Sequence, residues 1–160
     1  MLRSAMIACL LLTAALPVAA QNVAFGGIRA DTSAPVEMSA DNLSVNQADG
    51  SATFTGNVTI AQGEMKLQAN EVTVIYAEGG QQRIKSLKAV GQVTLVSGPD
   101  AAEAREALYD VETGMVDLMG DVILTQGQNV LTGDKMQVSL ADGTAQVQGR
   151  VRSVLQPAGN

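Results

Sequence analysis

The sequence predicts an all-β protein, a single elongated sheet of antiparallel strands that is twisted and rolled rather than flat. Three observations predict it. A short unit recurs, reading apolar-x-Gly-polar-Val, at Gly56, Gly91, Gly120 and Gly149. Within each copy apolar and polar residues alternate at period two, the mark of a strand with one buried face. Turn signals such as Asp49-Gly50 and Asp142-Gly143 separate the alternating runs, and Asp-Gly tolerates the positive φ of tight hairpins.

Residues 1–20 stand apart from the repeats. Arg3 gives a positive n-region, Ala5 to Leu16 an apolar h-region, and Pro17-Val18-Ala19-Ala20 a small-residue cleavage site before Gln21. This reads as a secretory signal cleaved after Ala20. An uncleaved anchor is disfavoured, because the run is shorter than the ~20 residues a spanning helix needs and Pro17 interrupts it. Cys9 lies inside the apolar run, not after it as a lipoprotein would require. The exported chain then has no cysteine, so no disulfide, thiolate metal site or cysteine nucleophile. Export without cysteines fits the bacterial periplasm.

Setting Arg3 aside leaves nine Lys and Arg against 16 Asp and Glu, a net charge of −7. An acidic chain is a poor partner for nucleic acid or anionic membranes. The chain contains no histidine and no tryptophan, which removes the commonest general base and metal ligand. Residues 21–160 suffice for one domain with a sizeable core.

Residues 21–34, with Gly26-Gly27, read as a flexible lead-in, and Pro35 opens the ordered domain, 35–155. Met38–Val58 aligns without a gap on Leu131–Val151, a shift of 93 residues. A second shift, of 29, lays Gly120 on Gly149 and Gly114 on Gly143. From Gly56 to Gly91 the spacing is 35, the extra residues falling around Glu78–Gln82. Parity places Phe54, Gly56, Val58 and Ile60 on one face, as it does Leu118, Gly120, Val122 and Leu124. Met65, Leu67 and Ala69 share a face, as do Val72, Val74 and Tyr76 after a break at Asn70-Glu71. A mid-strand glycine marks a bulge or bend, so each strand is expected to bend at a glycine on its apolar face. Asp100–Tyr109 is the one helical candidate by composition. The repeat register puts Tyr109 and Val111 on strand positions, which favours strand from about Ala104. Residues 156–160 read as a tail.

No nucleophile triad is possible, and no glycine-rich phosphate loop leads into a helix. Asp41, Asp49, Asp134 and Asp142 do not match calcium-loop spacings and read as turn residues. Arg83–Lys88 is the one basic cluster, more simply a solvated strand face than a phosphate contact. No catalytic residue, metal or cofactor is expected.

Met38-Ser39-Ala40-Asp41-Asn42-Leu43, Phe54-Thr55-Gly56-Asn57-Val58, Gly120-Asp121-Val122, Leu131–Met136 and Gly149-Arg150-Val151 together resemble the repeat of the OstA-like family of periplasmic lipopolysaccharide-transport proteins. The pattern covers nearly all of residues 36–155. The short length favours the free-standing carrier of that family over the domain fused to its outer-membrane barrel. The departures are an alanine- and glycine-rich first segment and an acidic insertion, Ser97 to Glu106. The resemblance implies a long, twisted β-jellyroll, open at its ends, holding the acyl chains of lipid A in an apolar interior. It implies head-to-tail self-association, with an LptC-like inner-membrane partner at one end and an LptD-like outer-membrane partner at the other. On that reading the protein is a non-enzymatic carrier of lipopolysaccharide. The residues expected to line the acyl chains are Phe54, Val58, Ile60, Met65, Leu67, Val72, Val74, Val93, Leu95, Leu118, Val122, Leu124, Met136, Val138, Val147 and Val151. Aromatics are scarce, and slim aliphatic and Met side chains adapt to flexible cargo. The alternatives are a structural polymerising β-solenoid without lipid, and a glycan-processing enzyme on a β-helix. The last would require aligned Asp or Glu on one face, which the sequence does not show.

Overall fold

The computed structural model describes residues 28–79 and 83–156. The signal, its cleavage point and residues 157–160 lie outside these. Every element among the described residues is a strand: β1 (Glu37–Ser39), β2 (Asn42–Val45), β3 (Ala52–Gln62), β4 (Met65–Tyr76), β5 (Ile84–Ser97), β6 (Asp100–Asp110), β7 (Met115–Gln126), β8 (Asn129–Ser139), β9 (Thr144–Gln148) and β10 (Arg152–Val154). Each of β3 to β8 pairs antiparallel with its neighbour in sequence. β1 and β2 both pair with β3, and β9 and β10 both pair with β8. Each couple is one strand broken in the middle.

The break is a corner that all the strands share. In β3 the residues Gly56-Asn57 face the single Asn70 of β4, because Thr55 pairs with Glu71 and Val58 with Ala69. Gly91-Gln92 face Arg105 in the same way, and Gly120-Asp121 face Asp134. These are β-bulges, and bulges bend strands. Both members of each pair are left-handed: φ is +83° at Gly120 and +47° at Asp121. That conformation costs an ordinary L-residue roughly 1–2 kcal/mol, which explains a glycine at the first position. A Cβ on Gly120 would also lie 3.1 Å from the Arg105 side chain. Gly56, Gly91 and Gly149 press likewise on Asp41, Asn70 and Asp134. The bend expected at each glycine is therefore present, but not the direction expected for it. The glycines face a polar residue of the preceding strand on the outer corner, not the apolar interior.

The corner folds the sheet into two half-sheets with one interior between them. A strand of this length would hold its tips about 40 Å apart if straight, at ~3.3 Å per residue. Yet Tyr109, beyond the corner, donates its hydroxyl to Oε1 of Gln62, before it, at 2.5 Å. Buried side chains from both half-sheets form one core, from Ala52 to Ala145.

The packed chain begins earlier than the Pro35 boundary expected from sequence. From Ile28, itself 4% exposed, residues 28–34 lie across the mouth where the two sets of tips meet. Arg29 N–H donates to Ser97 Oγ at 3.3 Å, and Ser97 Oγ donates to the Arg29 carbonyl at 2.7 Å. Arg29 Nη2 reaches the Asp142 carbonyl at 3.1 Å, and Ala30 N–H the Leu140 carbonyl at 3.2 Å. Ser97 and Asp142 belong to opposite half-sheets, so this segment is a strap, not the expected flexible lead-in. At Ser97–Glu106 the expected insertion is the end of β5, a two-residue hairpin and the start of β6. Gly98, at φ +57°, opens that turn ahead of Pro99. Strand therefore begins at Asp100, before the expected Ala104.

Candidate functional site

The interior is lined from both sides. One half-sheet contributes Val58, Ile60, Met65, Leu67, Val93, Leu95, Val122 and Leu124, and the other Val72, Val74, Leu118, Met136 and Val138, all buried. Phe54 and Val147 are partly buried against the same cluster. Val151 departs from expectation: it is 52% exposed. It follows the last corner, ahead of β10, and has no register partner on β8, so no strand covers it. Several lining residues escaped the sequence reading: Leu87, Val116, Leu131 and Leu140, which parity would have found, and Ala102, Ala104, Ala107 and Tyr109 of β6. Those of β6 were hidden by the helix-favouring composition of their strand. The lining is almost wholly removed from water, so the interior is closed in this state.

Among the described residues three buried polar side chains interrupt this apolar surface, all at the mouth. Gln62, Ser97 and Asp100 are 1%, 3% and 2% exposed. Gln62 accepts from Tyr109 and donates Nε2 to the carbonyls of Ala34 (3.0 Å) and Thr32 (3.3 Å). Burial pushes the Tyr109 phenol up. Asp100 Oδ2 accepts from Gln126 Nε2 at 3.2 Å, while Oδ1 has no partner among the described residues. Buried polar groups are nearly always paired, so this oxygen is exceptional. A recess of about 470 Å³ adjoins it, lined by Arg29, Glu64, Ser97, Asp100 and Gln126 among others.

Outside, the corner carries a polar row. Asn57 donates to Asp41 at 2.8 Å, Arg105 pairs with Asp121, and Arg150 pairs with Asp134 at 2.6 Å. The Arg150 hydrogen bond holds the Asp134 carboxyl below the usual carboxylate range. Arg83, Lys85 and Lys88 are exposed on the outer face, Arg83 lying 3.4 Å from Glu112. No group of three or more carboxylates, histidines or cysteines able to hold a metal occurs among the described residues.

Residues 37–144 match the family described as "LptA/(LptD N-terminal domain) LPS transport protein". The chain belongs to that family. It is LptA-like also in its relatives. It is 31% identical over 141 residues to the uncharacterized protein R00383 of Rhizobium meliloti (strain 1021), covering 82% of this chain and 76% of that one. It is 28% identical, with the same coverage, to the lipopolysaccharide export system protein LptA of Escherichia coli K12. A shorter match, 42% over 69 residues, reaches the LPS-assembly protein LptD of Salmonella paratyphi A, covering 41% of this chain and 9% of that one. The crystal structure of LptH, the LptA homologous periplasmic component of the lipopolysaccharide transport device of Pseudomonas aeruginosa, superposes with a TM-score of 0.70. That match covers 80% of this chain and 99% of LptH at 22% identity, a likeness of fold. The rolled, all-antiparallel architecture is thus an LptA-like β-jellyroll.

Proposed function

We propose that this protein carries lipopolysaccharide across the periplasm from inner to outer membrane, as a non-enzymatic bridge that holds the acyl chains between its half-sheets. One observation carries the reading: an apolar interior continues from strand to strand through the whole roll, and among the described residues both ends of the roll are unpaired edges bearing exposed apolar side chains. Leu43 and Val45 stand out on β2, and Val154 and Leu155 at and beyond β10. Such edges are templates for strand pairing. A contact between two different edges of like molecules does not close on itself and grows a filament. Head-to-tail self-association, an LptC-like partner at one end and an LptD-like partner at the other extend the interior into a continuous path. Each CH₂ taken from water into that path contributes about 0.8 kcal/mol. Export by the signal at residues 1–20 puts the chain in the compartment where the path is needed.

A polymer without cargo would use the same edges, and the fullness of the interior favours it. A photo-crosslinking residue at Leu124 or Val58 in growing cells separates the two. The carrier reading expects lipopolysaccharide adducts at both sites, and folded protein with no adduct at either would end it. Depletion of the protein should also stop lipopolysaccharide from reaching the cell surface.

A further inference from the structure

We infer that the buried polar rim at the mouth, Gln62, Ser97 and Asp100, is a recognition site for the hydroxyl- and amide-bearing head group of an amphiphile, and that residues 28–34 occupy it as an autoinhibitory strap until cargo displaces them. The inference rests on the carrier reading and assigns the head group a place in it.

Three features support the site. First, it sits where the apolar interior meets the surface, so acyl chains lying inside would bring their head group to this rim. Second, the rim already binds amide chemistry. Gln62 donates to two strap carbonyls, and Ser97 both accepts from and donates to the Arg29 peptide. An amide-linked, hydroxylated sugar presents the same carbonyl, N–H and O–H groups. Third, the strap leaves the site incompletely satisfied. Asp100 Oδ1 is buried without a donor beside the recess that Arg29 also lines. A hydroxyl or N–H from a ligand supplies what the strap does not.

The strap is built to be displaced. It adds no strand to the sheet. Most of its hydrogen bonds to the sheet tips join a side chain to a backbone group, rather than pairing two backbones as a strand does. Its own turn is local, with the Asp31 carboxylate accepting from the Ser33 N–H at 3.0 Å and Ala34 N–H bonding the Asp31 carbonyl at 2.9 Å.

A disulfide tests it. A Cβ at Gly63 would lie 3.4 Å from that of Asp31, close to disulfide spacing. In a Cys9→Ser background, D31C/G63C locks the strap when oxidised and frees it when reduced, with G63C alone as the control for strain at that turn. Binding of fluorescent lipid A should fall by about tenfold or more in the oxidised form and return on reduction. In the otherwise natural chain, D100N should weaken lipid A binding yet leave methyl palmitate, which has no hydroxyl or N–H donor, unchanged. Equal lipid A affinity in oxidised and reduced forms overturns the strap. An unchanged lipid A affinity in D100N, or equal losses for lipid A and methyl palmitate, overturns the rim site. If the natural chain binds neither lipid, the carrier reading and the rim fail together. Hydrogen exchange then decides the strap alone. An Ala30 amide exchanging far faster than the β5 amides supports a displaceable segment, and exchange at the same rate overturns it.

Discussion

The corner and the mouth both join the two half-sheets, and they do so by opposite means. At the corner the chain itself is continuous, bent in strand after strand by a left-handed pair such as Gly120-Asp121. At the mouth the chain is discontinuous, and among the described residues the tips are joined by the Tyr109–Gln62 bond and the strap. One is a covalent fold line repeated along the roll; the other is a seam of hydrogen bonds.

The comparison breaks most visibly at the fold line. Gly120→Val places a β-branched side chain at φ +83° against Arg105. We expect a loss of about 2–4 kcal/mol of global stability, read as a lower urea midpoint. At the seam the loss should be local. Gln62→Ala strands the Tyr109 hydroxyl and two strap carbonyls, about 1–3 kcal/mol of pairing. It should speed exchange of the Ala30 amide more than that of amides in β5. Equal acceleration at both would show that the mouth and the sheet open as one unit. The outer ion pairs matter least. Arg105→Gln should change the urea midpoint by under about 1 kcal/mol, because exposed pairs contribute little, and added salt should leave the wild-type midpoint nearly unchanged.

The strap also has a pH signature. Hydrogen bonds from Ser33 hold the Asp31 carboxyl below its usual 3.8. A depressed carboxyl contributes stability above its unfolded value and loses it as pH falls through the folded one. The Asp31 titration followed by NMR should therefore have its midpoint below 3.8 and move back up in Ser33→Ala. An unmoved midpoint would show that the Ser33 hydroxyl bond does not set it.

The strand faces were legible because period-two alternation is local, and Val58, Ile60, Leu118 and Leu124 could be placed by parity. The direction of the corner glycines was not. Parity arithmetic assumes ordinary extended backbone at every residue, and Gly120 and Asp121 are both left-handed. β6 was obscured because Ala102, Glu103 and Ala104 favour helix by propensity, and pairing on both flanks by β5 and β7 overrides that preference. Val151 kept the right parity but lay beyond the last covering strand. The rim was invisible for another reason: Gln62, Ser97 and Asp100 flank hairpin turns, where polar residues usually mean solvent. Only the roll brings them inward, and its closure depends on partners far apart in sequence.

That last fact has a kinetic consequence. The hairpins from β3 to β8 join neighbours in sequence through short turns, and local pairings of this kind form early. Arg29 instead meets Ser97 across 68 residues and Asp142 across 113. The earliest described segment can dock on Gln62 and Ser97 first, but must wait for the turn after β8 before it spans the mouth. The strap is thus the last part of the roll to be completed, and until then it holds one set of tips only.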